Sequence, residues 1–226
     1  MSIGGTLGRA LAPHATRLTP DVAHNFVLEA LSRAISGVGP LPGAAHAADK
    51  QLREQRGDVD RAIHEVIENH VRYAGAQGFV TNLGGVVTAA FAIPANIAGL
   101  AMLQARMVAG IGHLRGYDLE DQRVRNAVLA CMLGEDAVKR LVRKRKLPAP
   151  PMAIATAPAH DPQLSKVIAA EVTSELITRV AGKRMATTIG RRVPVVGGLF
   201  GAGADGFATW QVGRYADREL RSRRRG

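Results

Sequence analysis

The sequence holds one cysteine, Cys131, among 226 residues. That excludes an internal disulfide framework and any metal site built from several thiolates. Cys131 sits in the apolar run AVLACML, where a buried thiol behaves as a small hydrophobe. Aromatic residues make up only 4% of the chain, so small aliphatic side chains must do the packing. That favours close helix–helix contact over aromatic-rich strands. Long apolar sheet patterns are missing too, which leaves helix as the default element. The N-terminal MSIGGTLGRALAPHATRLTP has no apolar stretch long enough for a secretory signal. Residues 1–18 are read as a flexible leader, and the cytoplasmic side is favoured.

The most informative absence is of charge. Between Arg72 and Arg106 the chain runs 33 residues without one. A helix needs roughly 20 apolar residues to cross a bilayer, so the length suffices. Gln77, Asn82, Pro94, Asn96 and Gln104 interrupt the run, however, and Gly84, Gly85 and Gly99 thin its side chains. The pattern predicts two tightly packed helical segments meeting near Pro94, either at a membrane or as an unusually apolar core. Elsewhere charge is plentiful and unbalanced: the formal net charge is +11. Such an excess implies an anionic partner, whether phospholipid, nucleic acid or acidic protein.

Local signals then mark out helices. Thr19-Pro20-Asp21 combines a capping hydroxyl, proline at the first helical position and an acid at the positive end of the dipole. Val22, Phe26, Val27, Ala30, Leu31, Ala34 and Ile35 recur at helical spacing until Gly37. GVGPLPG over 37–43 is expected as a loop, followed by a short polar helix over 44–55. Asp58 is placed to cap a helix whose apolar face carries Ile63, Val66, Ile67, His70, Val71 and Ala74. Ala101, Ala105 and Ala109 lie four apart, as do Gly197, Gly201, Asp205, Thr209 and Gly213. Small residues at that step let helix backbones approach closely. Gly116 is a helix stop, and a further helix runs to about Leu133. The proline-rich 147–162 segment is expected as a hinge, and 162–179 as an amphipathic helix. The expected architecture is an all-α compact bundle over 19–217. It has a central Gly/Ala-rich apolar helical pair, a second Gly-rich helix near the C-terminus, and a basic tail over 218–226.

Two blocks carry a family resemblance: GFVTNLGGVVTAAFAIPANIAGLAMLQARMVAGIGHLRGYDLED over 78–121, and RRVPVVGGLFGAGADGFATWQVGRYAD over 191–217. In their Gly-Gly opening, proline-started small-residue helix, Gly-Tyr-Asp step and late Pro-Val-Val-Gly-Gly, they resemble the EcsC family. That family takes its name from a bacterial operon that also encodes an ABC transporter, so the resemblance implies company with a membrane transport complex. Some members carry a peptidase label, which nothing in this sequence supports.

Catalytic patterns are weak. HEVIENH begins at His64, but the second imidazole, His70, is six residues on rather than four, so the pair does not share a helix face as a zinc protease requires. His64 and Glu68 do share one, and His64, Glu65, Glu68 and His70 form the only cluster to test for hydrolysis; a solvated ion pair of His64 and Glu68 is the plainer account. No Gly-x-Ser-x-Gly elbow is present, GGLFGAGADG lacks the Lys-Ser/Thr of a phosphate loop, and no catalytic residue, metal or cofactor is expected.

Two sets of residues remain. Arg106 and Asp205 lie in or beside the two uncharged stretches, where a charge is costly unless paired. Either Arg106 or a neighbouring arginine pairs with Asp205, or Arg106 marks where a helix leaves the apolar layer and Asp205 faces solvent. Lys139, Arg140, Arg143, Lys144, Arg145 and Lys146 form one basic cluster, and Arg221, Arg223, Arg224 and Arg225 another. Beside apolar helices these are read as contacts to anionic lipid headgroups, each contributing about 1 kcal/mol; the alternative is a solvated face. The expectation is therefore a non-enzymatic, membrane-associated or lipid-binding protein on the inner face of the cell membrane. A hydrolase using His64 and Glu68 is one alternative. A soluble nucleic-acid binder is another, disfavoured because the clusters lack interleaved aromatics.

Overall fold

The computed structural model of the chain describes residues 20–38, 41–83, 89–189 and 194–221. Among these are nine helices and a single pair of two-residue strands, so the molecule is all-α as expected. The leader expected over 1–18 lies outside the described residues.

Helix α1 (Pro20–Ser36) buries Val27, Ala30, Leu31, Ala34 and Ile35, a stripe at helical spacing. Gly37 ends it at φ +90°, a conformation glycine adopts without strain. The expected loop is instead a minimal hairpin, β1 (Gly37–Val38) antiparallel to β2 (Leu41–Pro42). It closes on Gly43, where a Cβ would stand 2.2 Å from the Ile35 carbonyl oxygen. Helix α2 (Ala44–Glu54) turns into α3 (Val59–Leu83). The turn is set by the Gly57 N–H donating to the Leu52 carbonyl at 2.9 Å and by Asp58, whose carboxylate accepts the Arg61 N–H at 3.0 Å.

Helix α4 (Ala89–Leu114) is the central element. It touches α1, α2, α3, α8 and α9 as well as α5 (Gln122–Leu133), and Ala101, Ala105 and Ala109 on it are fully buried. Pro94 is not the junction between two segments. It lies in the second turn of α4, where it forgoes a single backbone hydrogen bond, and the break falls after Leu83. Helix α5 starts at Asp121, which accepts the Arg123 N–H at 2.8 Å, and every residue from Asn126 to Leu133 is buried.

The proline-rich stretch is packed rather than hinge-like. After α6 (Glu135–Arg143), Leu147 is buried, and Pro151 starts a one-turn helix, α7 (Pro151–Ala155), from the first helical position, where proline is tolerated. Ile154 and Ala155 are buried, α7 rests on α5, and Arg123 Nη1 donates to the Ala157 carbonyl at 2.6 Å. Helix α8 (Pro162–Ile189) extends ten residues past its expected end at 179. Helix α9 (Pro194–Glu219) likewise runs into the expected tail: Leu220 is fully buried and Arg218 pairs with Glu135.

The most extensive helix contact is that of α9 on α3. A Cβ at Gly213 would come within 3.0 Å of Ile67 and 3.1 Å of Met107, and one at Gly206 within 3.6 Å of Val71. The pairing is thus antiparallel, made by a face through Gly206, Thr209, Gly213 and Ala216. That face shares Thr209 and Gly213 with the small-residue stripe read from the sequence. Helix α4 runs with α9, Gln104 meeting Thr209. Consequently α3 ends where α4 and α9 begin, and α8, finishing five residues before α9, ends there too; this is the far end of the bundle. At the opposite end Arg115 donates to Asp217 at 2.6 Å and reaches Asp60 at 2.9 Å, joining α3, α4 and α9. Burial works against the charge of Arg115, but the two carboxylates outweigh it and raise its pKa. This is the clamp end.

Candidate functional site

The candidate residues fall on three parts of this frame. The basic cluster of 139–146 is on α6 and the turn after it, level with the last turns of α9. Half of it is neutralised inside the fold. Lys139 pairs with Glu135 at 2.6 Å, Arg140 with Glu175 at 3.8 Å and Lys146 with Glu171 at 2.7 Å. Lys139 first, and then Arg218, hold the Glu135 carboxyl below its ordinary pKa range. Arg143, Lys144 and Arg145 are exposed, and no ion pair among the described residues engages them. Arg145 takes φ +56°, in the position a helix stop usually gives to glycine; the Lys146 N–H donates to the Leu141 carbonyl at 2.9 Å around it. Arg143 and Arg140 border an open cleft of about 590 Å³ shared with Glu135, Asp136, Tyr215 and Glu219. Both signs of charge line it, which suits no single anionic ligand. Arg221 is exposed at the end of α9, while Arg223, Arg224 and Arg225 lie outside the described residues.

Among the described residues no hydrogen bond or ion pair joins Arg106 to Asp205, which has another interaction of its own. Arg106 lies beside His70 and Tyr73 of α3, and burial lowers its pKa. His70 is 8% exposed, its Nδ1 2.7 Å from the Val66 carbonyl. Burial first, and then Arg106, hold it down to about 4 against the partial offset of that carbonyl contact, so it is neutral at physiological pH. Asp205, half-buried, is one helical turn before Thr209.

The two histidines of the hydrolytic cluster do not converge. His64 is exposed and His70 buried, so the two imidazoles of HEVIENH face opposite ways. Among the described residues no group of three or more His, Cys, Asp or Glu side chains is arranged to hold a metal ion. Cys131 is fully buried and its thiol pKa is pushed well up by burial, so it is protonated and shielded.

The third part is formed by aromatic residues. Phe207 and Trp210 of α9 are 59% and 42% exposed and Tyr73 of α3 is 66% exposed. The two α9 rings stack, centroids 6.0 Å apart and planes 18° from parallel. The Val71–Gly206 contact places all three at one level along the bundle, the level of Arg72 and Arg106, where charge stops on α3 and α4. Tyr215, nearer the end of α9, is buried. Among the described residues no helix is long and apolar enough to cross a membrane.

The sequence model of the EcsC protein family matches residues 4–224. The chain belongs to the EcsC protein family. Comparison with curated proteins and with solved structures finds no match in either. In this EcsC family member the match takes in both blocks that carry the resemblance, together with the helices between them. The exposure of Tyr73 and Phe207 and the Arg115 clamp were not read from the sequence, for one reason. Phe207 and Trp210 sit in a segment apolar or small on every side, so periodicity does not say which face is outward, and Arg115 is 102 residues from Asp217.

Proposed function

We propose that this EcsC family member is a non-enzymatic protein of the membrane surface. It binds lipid at the inner face of the cell membrane, peripheral to or partly inserted in it, and serves as an accessory to a transport system. What supports this reading is the exposure of Tyr73, Phe207 and Trp210 at the level where charge disappears from α3 and α4. Solvent-facing aromatic groups rimming an apolar layer suit the boundary between water and hydrocarbon. The charge-free part of α3 from Tyr73 to Leu83 is about 15 Å long, half the thickness of a bilayer core. That length reaches into one leaflet and does not cross.

Flotation of the purified chain with vesicles of phosphatidylcholine, with and without phosphatidylglycerol, tests the reading. Flotation on the anionic vesicles is expected; persistence through a carbonate wash marks insertion, and release by salt marks peripheral docking. Absence of flotation on every vesicle overturns the proposal. Salt-sensitive oligonucleotide binding in its place would favour the nucleic-acid reading, and a hydrolytic activity abolished by His64→Ala would favour the enzyme.

A further inference from the structure

The cleft of about 590 Å³ between α6 and the last turns of α9 has its charges ordered along its length. Asp136 lies in the first turn of α6 and Arg143 in its last, and both line the cleft. Arg218 of α9 meets Glu135, which sets its neighbour Glu219 beside that first turn. Two carboxylates, Asp136 and Glu219, thus stand at one end and a guanidinium at the other. Among the described residues no ion pair engages any of the three. Between them the wall is apolar, made by Val138, Val142 and Pro150. Tyr215 completes it. That residue is 4% exposed, and among the described residues no hydrogen bond engages its hydroxyl. Burial first, then Cys131 and Glu219, push its pKa up, so the hydroxyl keeps its proton and is a donor.

We infer that this cleft binds a short zwitterionic peptide, about three residues long. Its α-ammonium lies between Asp136 and Glu219, its α-carboxylate on Arg143, and a backbone carbonyl between them accepts from the Tyr215 hydroxyl. The inference goes beyond the membrane-surface reading and does not rest on it. Asp136 and Arg143 are seven residues apart on one helix, about 10 Å along its axis. Three residues of extended chain cover about 10 Å as well. The two charges of a single amino acid lie too close together to meet both ends, as do those of a zwitterionic lipid headgroup. A purely anionic ligand would be opposed by Asp136 and Glu219, and a purely cationic one by Arg143. Opposite charges at the two ends satisfy all three. The helix dipole of α6 also favours an acid in its first turn and a base in its last, which accounts for Asp136 and Arg143. It does not account for Glu219 and the unpartnered Tyr215 hydroxyl, which α9 brings to the same cleft. A largely buried donor without a partner is costly, and a peptide carbonyl supplies that partner. The apolar wall suits a small aliphatic side chain at the middle position.

Calorimetric titration of the full chain with the tripeptide Ala-Val-Ala, free at both termini, tests this. Saturable binding is expected, and either N-acetylation or C-amidation of the peptide should weaken it about tenfold or more. Arg143→Gln should weaken binding of the free peptide by a similar factor and shrink the effect of amidation, because a contact already lost cannot be lost twice. Glu219→Gln should shrink the effect of acetylation in the same way. Tyr215→Phe should weaken binding severalfold without lowering the thermal midpoint of the unliganded protein, since its hydroxyl has no partner to lose. Absence of binding, equal binding of free and capped peptide, or tighter binding of glycerophosphoethanolamine than of the tripeptide would overturn the inference. Vesicle flotation is read separately, so the membrane-surface reading stands or falls on its own.

Discussion

At the clamp end of the bundle, charges are numerous and many are paired with one another. Arg115 bridges Asp60 and Asp217, Arg218 meets Glu135 and Lys146 meets Glu171. At the far end, α3 and α4 carry no charge beyond Arg72 and Arg106, and aromatic rings face outward instead of inward. The first arrangement is what a helical protein needs to hold its elements in register in water. The second leaves Tyr73, Phe207 and Trp210 in solvent, a grouping of the kind that marks an interaction surface. Net charge alone gave no way to tell them apart: in the cluster richest in lysine and arginine the fold pairs three of six cations.

The comparison breaks most visibly at the clamp. Asp217→Asn leaves Arg115, whose side chain is 15% exposed, with only the solvated Asp60 as counter-charge. Stranding a largely buried guanidinium in this way should cost about 3 kcal/mol, read as a lower midpoint in urea denaturation. Because the far end is untouched, vesicle binding by the folded protein should not change; a parallel loss of binding would mean that the two ends are not separable.

A pH titration probes the boundary between them. His70 has a folded-state pKa of about 4, below the roughly 6.5 of an unfolded histidine. Between those values the unfolded chain binds the proton and the native chain does not, so stability falls as pH drops. The His70 contribution is intact above about pH 6.5, and up to roughly 3 kcal/mol of it is lost by about pH 4. The slope of unfolding free energy against pH in this window should be shallower in His70→Leu than in the parent chain. Equal slopes would mean that His70 is protonated, and solvated, in the native state.

The smallest effect has the opposite sign. Arg145 holds a left-handed backbone conformation, φ +56°, that costs a non-glycine residue on the order of 1 kcal/mol. Arg145→Gly should raise the thermal midpoint modestly while removing one of the unpaired cations of the 139–146 cluster. If vesicle binding falls as stability rises, that cluster touches lipid after all, and the contrast between the two ends is overdrawn.

Much of the framework was legible from local signals. Asp58, Asp121, Gly37 and Gly116 mark helix ends because capping and left-handed stops involve only the residues around them. The fully buried Ala101, Ala105 and Ala109 follow from spacing on one helix. Where the reading failed, the deciding partner was distant. Pro94 looked like a break because proline in a helix costs a hydrogen bond, but in the second turn that cost is small against the burial α4 obtains from six neighbouring helices. The proline-rich segment looked like a hinge because nothing in it announces that Leu147, Ile154 and Ala155 would find α5 beneath them. Whether Arg106 and Asp205 pair stayed open in the sequence, because both stand beside apolar runs and helix register is not local. Register instead set Arg106 against His70 and Tyr73, and Gln104 against Thr209.

By itself the sequence determined that this chain is helical, where most of its helices begin and stop, that 33 residues carry no charge, and that it resembles the EcsC family. These are properties of composition and of spacings within one or two turns, which need no knowledge of the rest of the chain. Tertiary structure alone decided which cations are neutralised, which aromatic rings are left in solvent, and that Arg115 meets Asp217 across 102 residues of sequence. Each of those depends on which helix faces are brought together, and burial and charge pairing act through space over distances that sequence separation does not record.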